Sequence, residues 1–216
     1  MGRRALKKPD PRLDLSRHLK SIEELSPAWD AAALFGREAP LEVEVGSGKG
    51  LFLQSAAAAA AAHNFLGIEI ARKYARYCAA RLARSDLANA LVVNGDAQRL
   101  FRERLADDSL RAVHVYFPDP WWKKRHHKRR VMNPEFLRDV ARVLEPGARL
   151  HFWTDVQDYY DATLALVAEQ ALLQGPLDVA ERPAGHDLDY RTHFERRTRL
   201  SDLPVYRAEF QKPRHV

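Results

Sequence analysis

The stretch LEVEVGSGKG (41–50) decides the fold. Its first five residues are apolar at alternate positions and rich in valine, a pattern that suits a strand. Gly46, Gly48 and Gly50 follow at every second position, and LFLQSAAAAAAA (51–62) then reads as an alanine-rich helix. Glycines between a buried strand and a helix allow a tight turn and close backbone approach to a ligand. A dinucleotide fingerprint would place its third glycine at position 51, which is Leu51. A tight turn without a ligand is the alternative reading of this segment.

Outward from this unit the same rhythm recurs. Short apolar runs FLGIEI (65–70), ALVV (90–93), AVHVYF (112–117) and RLHFWT (149–154) read as further strands. The segments between them predict helices over 50–63, 71–84, 98–105, 134–144 and 156–173. Strand and helix in alternation, with continuous apolar strands, imply a parallel sheet covered on both faces. VYRAEFQK (205–212) alternates instead, as an antiparallel edge strand would. Residues 1–39 read as a basic N-terminal arm with short helical pieces near 21–24 and 27–35. Residues 40–216 read as one α/β domain.

Composition supports a packed domain: 46% of the 216 residues are hydrophobic and 30% charged. The longest apolar run is the seven alanines at 56–62, far below the ~18 residues of a membrane span. MGRRALKKPD (1–10) lacks the apolar stretch of a secretory signal, and Leu6 stands where a myristoylation signal wants Ser or Thr. Cys78 is the single cysteine, so neither a disulfide framework nor a Cys-rich metal site is expected within one chain. A cytoplasmic protein with no membrane and no metal partner is the expectation. The charge is unevenly placed. KKRHHKRR (123–130) holds six cations, and residues 1–20 carry a net +5, so the remainder of this +6 chain is net acidic. Such clustering points to a polyanion met at defined places.

Acids recur at the strand ends. Glu44 precedes the glycine turn, Glu69 closes the second strand, and Asp96, Asp119 and Asp155 follow the third, fourth and fifth. Ligands of open parallel sheets bind beyond the carboxyl ends of the strands, so five carboxylates would surround one crevice. Each acid taken singly reads equally as an N-cap or turn residue. Together they suit a cationic ligand rich in hydroxyls, and S-adenosylmethionine is such a ligand. A pyrophosphate would be repelled.

The fourth strand runs into YFPDPWWKKRHHKRR (116–130). Prolines on both sides of Asp119 restrict its backbone, and two tryptophans lead into the cationic octet. Basic residues beside large aromatics can combine phosphate contact with base stacking. Core packing of Trp121 and a solvated face or localisation signal for the octet are the alternatives.

With FPDPWWKKRHHKRR (117–130), EVGSGKG (44–50), GIE (67–69), GDA (95–97), WTD (153–155) and THFE (192–195), residues 40–212 resemble the tRNA (guanine-N7)-methyltransferases. The resemblance implies a Rossmann-like class I methyltransferase fold. Its mostly parallel seven-stranded sheet would carry an antiparallel edge strand and helices on both faces. It also implies S-adenosylmethionine as donor and the guanine at position 46 of the tRNA variable loop as acceptor; a monomer and a homodimer are both open in the sequence. Glu44, Gly46, Gly48, Glu69, Asp96 and Asp119 match donor-site positions, and Asp119 also the catalytic one. Lys123, Asp155, Thr192, His193, Phe194 and Glu195 match substrate-binding positions. Arg125, His126, His127, Lys128, Arg129 and Arg130 match the stretch assigned to RNA contact. Thr192 and Glu195 also have the spacing of a helix capping box. Guanine N7 is nucleophilic without losing a proton, so Asp119 is expected to stabilise charge and not to act as a base. Whether Asp119 or Asp155 touches the guanine stays open in the sequence.

Overall fold

The computed structural model describes residues 10–26, 30–180, 183 and 190–214. The first cations of the basic arm lie outside these residues. In chain order the elements are β1 (Leu19–Ser21), α1 (Ala31–Phe35), β2 (Leu41–Val45), α2 (Leu51–Ala59), β3 (Asn64–Glu69), α3 (Arg72–Arg84), β4 (Ala90–Asn94) and α4 (Ala97–Glu103). They continue with β5 (Leu110–Tyr116), α5 (Pro134–Val143), β6 (Leu144–Thr154), α6 (Gln157–Gln170), β7 (Gln174–Leu177), α7 (His193–Arg199) and β8 (Tyr206–Gln211). One sheet takes the order β1-β4-β3-β2-β5-β6-β8-β7. β1 to β6 pair in parallel, β8 runs antiparallel to β6, and β7 antiparallel to β8.

The apolar runs form the inner strands because both of their faces are covered. Leu66, Val93 and Val113 pack with Phe101, Phe136 and Val140 of α4 and α5. Phe65, Ala90 and Val92 pack with Phe52 and Leu53 of α2 and Ala75, Ala79 and Leu82 of α3. The α/β class therefore stands, with two corrections to the sheet. Among the described residues it has eight strands where seven are expected, because Leu19–Ser21 adds a parallel strand beside β4, aided by His18 Nδ1 at 2.9 Å from the Ala90 carbonyl. β8 is antiparallel but is not the edge, since β7 lies outside it. The poly-alanine helix also stops early, at Ala59. Asn89 Nδ2 donates to the carbonyls of Ala57 and His63, both at 3.0 Å, and so satisfies groups a longer helix would have used.

One stripe of the sheet is polar. His114 on β5 meets Glu42 Oε2 through Nε2 at 2.7 Å and Tyr116 Oη through Nδ1 at 2.9 Å. His63 Nδ1 lies 2.6 Å from Glu42 Oε1, and His151 stacks on His114 with ring centres 4.6 Å apart. Burial pushes His114 down to about 4, so its ring is neutral near pH 7. Against its own burial, the hydrogen bonds from His114 and His63 hold Glu42 at about 2. With Glu42 ionised and His114 neutral, Nε2–H donates to Glu42 and the Tyr116 hydroxyl donates to Nδ1.

Candidate active site

Chain order reverses between β2 and β5: the strands after β2 build outward on one side, and β5 returns to its other side. In such sheets the ligand crevice lies at that switch point, beyond the carboxyl ends. The glycine turn sits there, with φ of +79° at Gly46 and +52° at Gly48. A Cβ on Gly46 would meet nothing within 4 Å, so this side of the turn faces open space. Gly50 has a different reason: a Cβ there would lie 2.4 Å from Cys78 Sγ.

Glu44 and Glu69 form the inner wall. Glu44 is 3% exposed, and its Oε2 has no hydrogen-bond partner. Burial, and then the nearby Glu69 carboxylate, push Glu44 well above the usual carboxylate range. Glu69 accepts from Gly48 N at 2.9 Å and from Ala71 N at 2.7 Å, tying the glycine turn to the start of α3. Burial raises Glu69 against those two amides, and Asp119 raises it further. Glu44, Glu69 and Asp119 thus share one electrostatic neighbourhood.

The other strand-end acids differ in engagement. Asp96 is exposed and caps α4, accepting from Gln98 N at 2.8 Å through Oδ1. Asp155 is exposed between β6 and α6. Asp119 is exposed within a loop whose backbone is held at both ends in an unusual conformation. Phe117 has φ +50° and Trp121 +49°, the left-handed region that bulky residues rarely adopt. Surrounding contacts enforce it. Phe117 N donates to the Trp153 carbonyl at 2.8 Å, and the Phe117 ring stacks with Phe194 at 6.1 Å. Trp121 sits against His126, with the Arg129 guanidinium 4.9 Å from its ring.

Arg130 is a correction to the RNA-facing octet. It is 6% exposed, donates through Nε to the Pro120 carbonyl at 2.8 Å and through Nη2 to Asp158 at 2.9 Å, and lies over the Tyr159 ring. A buried guanidinium with these partners holds the loop from inside and offers no charge to a phosphate. Lys123, Arg125, Lys128 and Arg129 are exposed, while His126 and His127 are half-buried. Lys124–Arg129 winds into a short 3-10 helix that fans these side chains outward.

The 192–195 segment opens α7. Thr192 is its N-cap, its hydroxyl accepting from Glu195 N at 3.0 Å. Glu195, 3% exposed, accepts from Arg191 N at 2.6 Å and pairs with Arg199 and Arg207. The capping reading therefore holds for Thr192, while Glu195 accepts one residue before the N-cap, from Arg191 N, and a direct substrate contact by Glu195 would compete with partners already in place. His193 and Phe194 are the exposed members, and Phe194 joins the segment to the Asp119 loop through Phe117.

One residue here has no counterpart among the sequence candidates, and the tryptophan pair divides between two environments. Ile70, next to Glu69, is 73% exposed, an apolar surface at the ligand end of a strand. Trp122 is 74% exposed while Trp121 packs. The sequence signal for Ile70 is its place one residue beyond the strand-closing acid, where no core position remains.

Known proteins of similar sequence and fold bear on the family. A family described as "Putative methyltransferase" matches residues 38–208. A tRNA (guanine-N(7)-)-methyltransferase of Rhodopirellula baltica is 52% identical over 218 residues, spanning 98% of this chain and 80% of its own length. One of Bordetella parapertussis is 40% identical, spanning 84% of this chain and 74% of its own. Among solved structures, the 16S rRNA methyltransferase KamB superposes with TM-score 0.64 at 20% identity, covering 86% of this chain and 94% of its own. A 16S rRNA (adenine(1408)-N(1))-methyltransferase from Catenulisporales acidiphilia, solved with cosubstrate SAM, gives TM-score 0.59 at 22% identity over 88% of this chain and 92% of its own. These neighbours carry the Rossmann-like methyltransferase fold. With a family model matching residues 38–208 and relatives this similar over most of its length, the chain belongs to the tRNA (guanine-N7)-methyltransferase family.

Proposed function

We propose that this protein transfers a methyl group from S-adenosylmethionine to N7 of the guanine at position 46 of the tRNA variable loop. The observation that carries this reading is the buried carboxylate of Glu44, whose Oε2 has no partner, at the carboxyl end of β2 beside the strand that leads into a loop of exposed cations and an exposed indole. A cationic donor supplies the partner that Glu44 lacks, and a polyanionic acceptor fits that loop. S-adenosylmethionine, when bound, supplies a methyl group activated on a sulfonium.

The roles of the chain's own groups follow from their placement. Glu69 has lone pairs left beyond its two amide bonds and accepts from a ribose diol. Gly46 and Gly48 leave room for the donor's backbone-side approach, Ile70 offers an apolar face to a flat purine, and Asp96 closes that end. Guanine N7 attacks through its in-plane lone pair, so no base is required for transfer. Positive charge moves from sulfur to the purine, and Asp119, fixed between two left-handed residues, stabilises it as it arrives. Either Asp119 or Asp155 accepts from guanine N1–H and its amino group. Trp122 provides a stacking surface for the exposed base, and Lys123, Arg125, His126, His127, Lys128 and Arg129 face the phosphates. His193 and Phe194 form the opposite wall, with Thr192 and Glu195 fixing that wall in place. Among the described residues no helix is long and apolar enough to cross a membrane and no cluster of three His, Cys, Asp or Glu could hold a metal. A cytoplasmic place of action suits a tRNA substrate.

The test is methyl transfer from labelled donor to a transcribed tRNA and to the same tRNA with adenine at position 46. Incorporation only in the first is expected. Equal incorporation in both would overturn the assigned position.

A further inference from the structure

α3 carries five cations and no acid in its thirteen residues, RKYARYCAARLAR (72–84). Arg72 and Lys73 stand exposed in its first turn, and Arg76 stands exposed one turn further on, below Arg72. The amino end is the wrong end for cations. The first turn of a helix presents unsatisfied N–H groups and the positive pole of the macrodipole, so acids stabilise it and bases destabilise it. The first turn of α3 holds no acid. Among the described residues none of the three side chains makes an ion pair or a hydrogen bond, and Lys73 only overlies the Tyr74 ring at 5.1 Å. Among the described residues Arg72 and Arg76, four residues apart on one stripe, have no acid paired with them; the carboxylate at this helix start, Glu69, is engaged by the Ala71 and Gly48 amides.

The position of this turn is fixed by the site. Ala71 N is bonded to Glu69, so Arg72 begins directly at the rim of the crevice. β3, which leads into α3, is separated from β5, which leads into the basic loop, by β2 alone. Two strand spacings are about 10 Å. The crevice is therefore flanked by exposed cations on both sides, on a chain that is net acidic outside its two sequence-level basic clusters.

We infer that the first two turns of α3, through Arg72, Lys73 and Arg76, are a second contact surface for the tRNA phosphate backbone. It works opposite the 123–129 loop, so that the substrate spans the crevice. This rests on the tRNA reading above. The unfavourable placement of the cations is the trace of that role: electrostatic stability of the helix is given up for an anion that arrives with the substrate.

The full chain carrying Arg72→Gln, Lys73→Gln and Arg76→Gln tests it. Glutamine keeps helix propensity and removes charge. Binding to transcribed tRNA is measured across salt concentrations, with Lys124→Gln, Arg125→Gln, Lys128→Gln as the comparison variant. The α3 variant should lower the slope of log K against log salt by roughly two units, if each lost cation met one phosphate. Its melting temperature should stay level or rise, and S-adenosylmethionine affinity should stay within about twofold. An unchanged slope in the α3 variant beside a reduced one in the loop variant would overturn the inference while leaving the tRNA reading intact. An unchanged slope in both would overturn the two together. A lower melting temperature with an unchanged slope would make the cations structural.

Discussion

Glu44 is an acid that the fold buries without giving it a partner, and its pH behaviour follows from that. Its folded value lies above the ordinary 4.5, so the native state holds a proton that the unfolded chain releases more readily. The stability linked to this group is present below the unfolded value and is lost as pH rises through the folded one. Glu44→Gln, which mimics the protonated form, should melt level with wild type near pH 5 and above it near pH 8. A melting difference independent of pH would contradict the protonated state. The same variant should bind S-adenosylmethionine at least tenfold more weakly by calorimetry. Wild-type binding should release up to one proton, seen as a dependence of the heat on buffer ionisation. Asp119 poses a different test. Asn is nearly isosteric, so Asp119→Asn should fold normally and slow single-turnover transfer by roughly 10²–10³, the scale of one preorganised electrostatic partner. A near-normal rate at saturating donor and tRNA would reduce Asp119 to a part of the FPDP turn.

The loop after β5 divides its two terminal arginines between unlike tasks. Arg130→Ala should cost about 1.5–3 kcal/mol of stability, the range for hydrogen bonds to charged groups. Arg129→Ala removes an exposed cation over Trp121, so it should cost at most about 1 kcal/mol. It should lower the salt slope of tRNA binding by about 0.7–0.9. Thermal unfolding and salt titration of the two variants separate these roles, and equal slopes for wild type and Arg129→Ala would make the exposed side chain idle. Adjacent arginines in one basic run carry no sequence mark of which one turns inward. Burial of Arg130 depends on Pro120, Asp158 and Tyr159, which only the fold brings together. The inner strands were legible because their apolar runs are long enough to show both faces covered. β1 was not, since three residues hold no period, and β7 was hidden by Gly175 and Pro176, which argue against a strand. The poly-alanine segment shows propensity overruled by a tertiary contact through Asn89. The charge bias of α3 was present in the sequence all along. It becomes informative only once the helix start is known, because the same cations at the other end would suit the dipole.

Across the whole molecule, the acid-side stability should be set by the polar stripe. His114 is depressed to about 4 from 6.5, and Glu42 to about 2 from 4.5; Glu209 on β8, which extends the stripe through His151 Nδ1 at 3.1 Å, is likewise held at about 2. All three bind fewer protons folded than unfolded, so their contribution is present above the unfolded values and lost as pH falls. Melting temperature should therefore drop first between about pH 6.5 and 4 through His114, then further toward pH 2 through the two glutamates. His114→Gln should flatten the first of these segments, and an unchanged profile would show that the stripe does not govern acid unfolding. The carboxyl edge of the same sheet carries Glu44 and Glu69 between the exposed cations of α3 and of the 123–129 loop, and methyl transfer to guanine N7 is the reaction proposed there. It is tested most directly by incubating the full chain with tRNA and methyl-deuterated S-adenosylmethionine, digesting the RNA, and analysing its nucleosides by mass spectrometry. The label should appear in 7-methylguanosine, and the Asp119→Asn protein should leave it largely absent over the same time. Label in any other nucleoside, or none in the wild-type reaction, would contradict the assignment of guanine N7 as the acceptor.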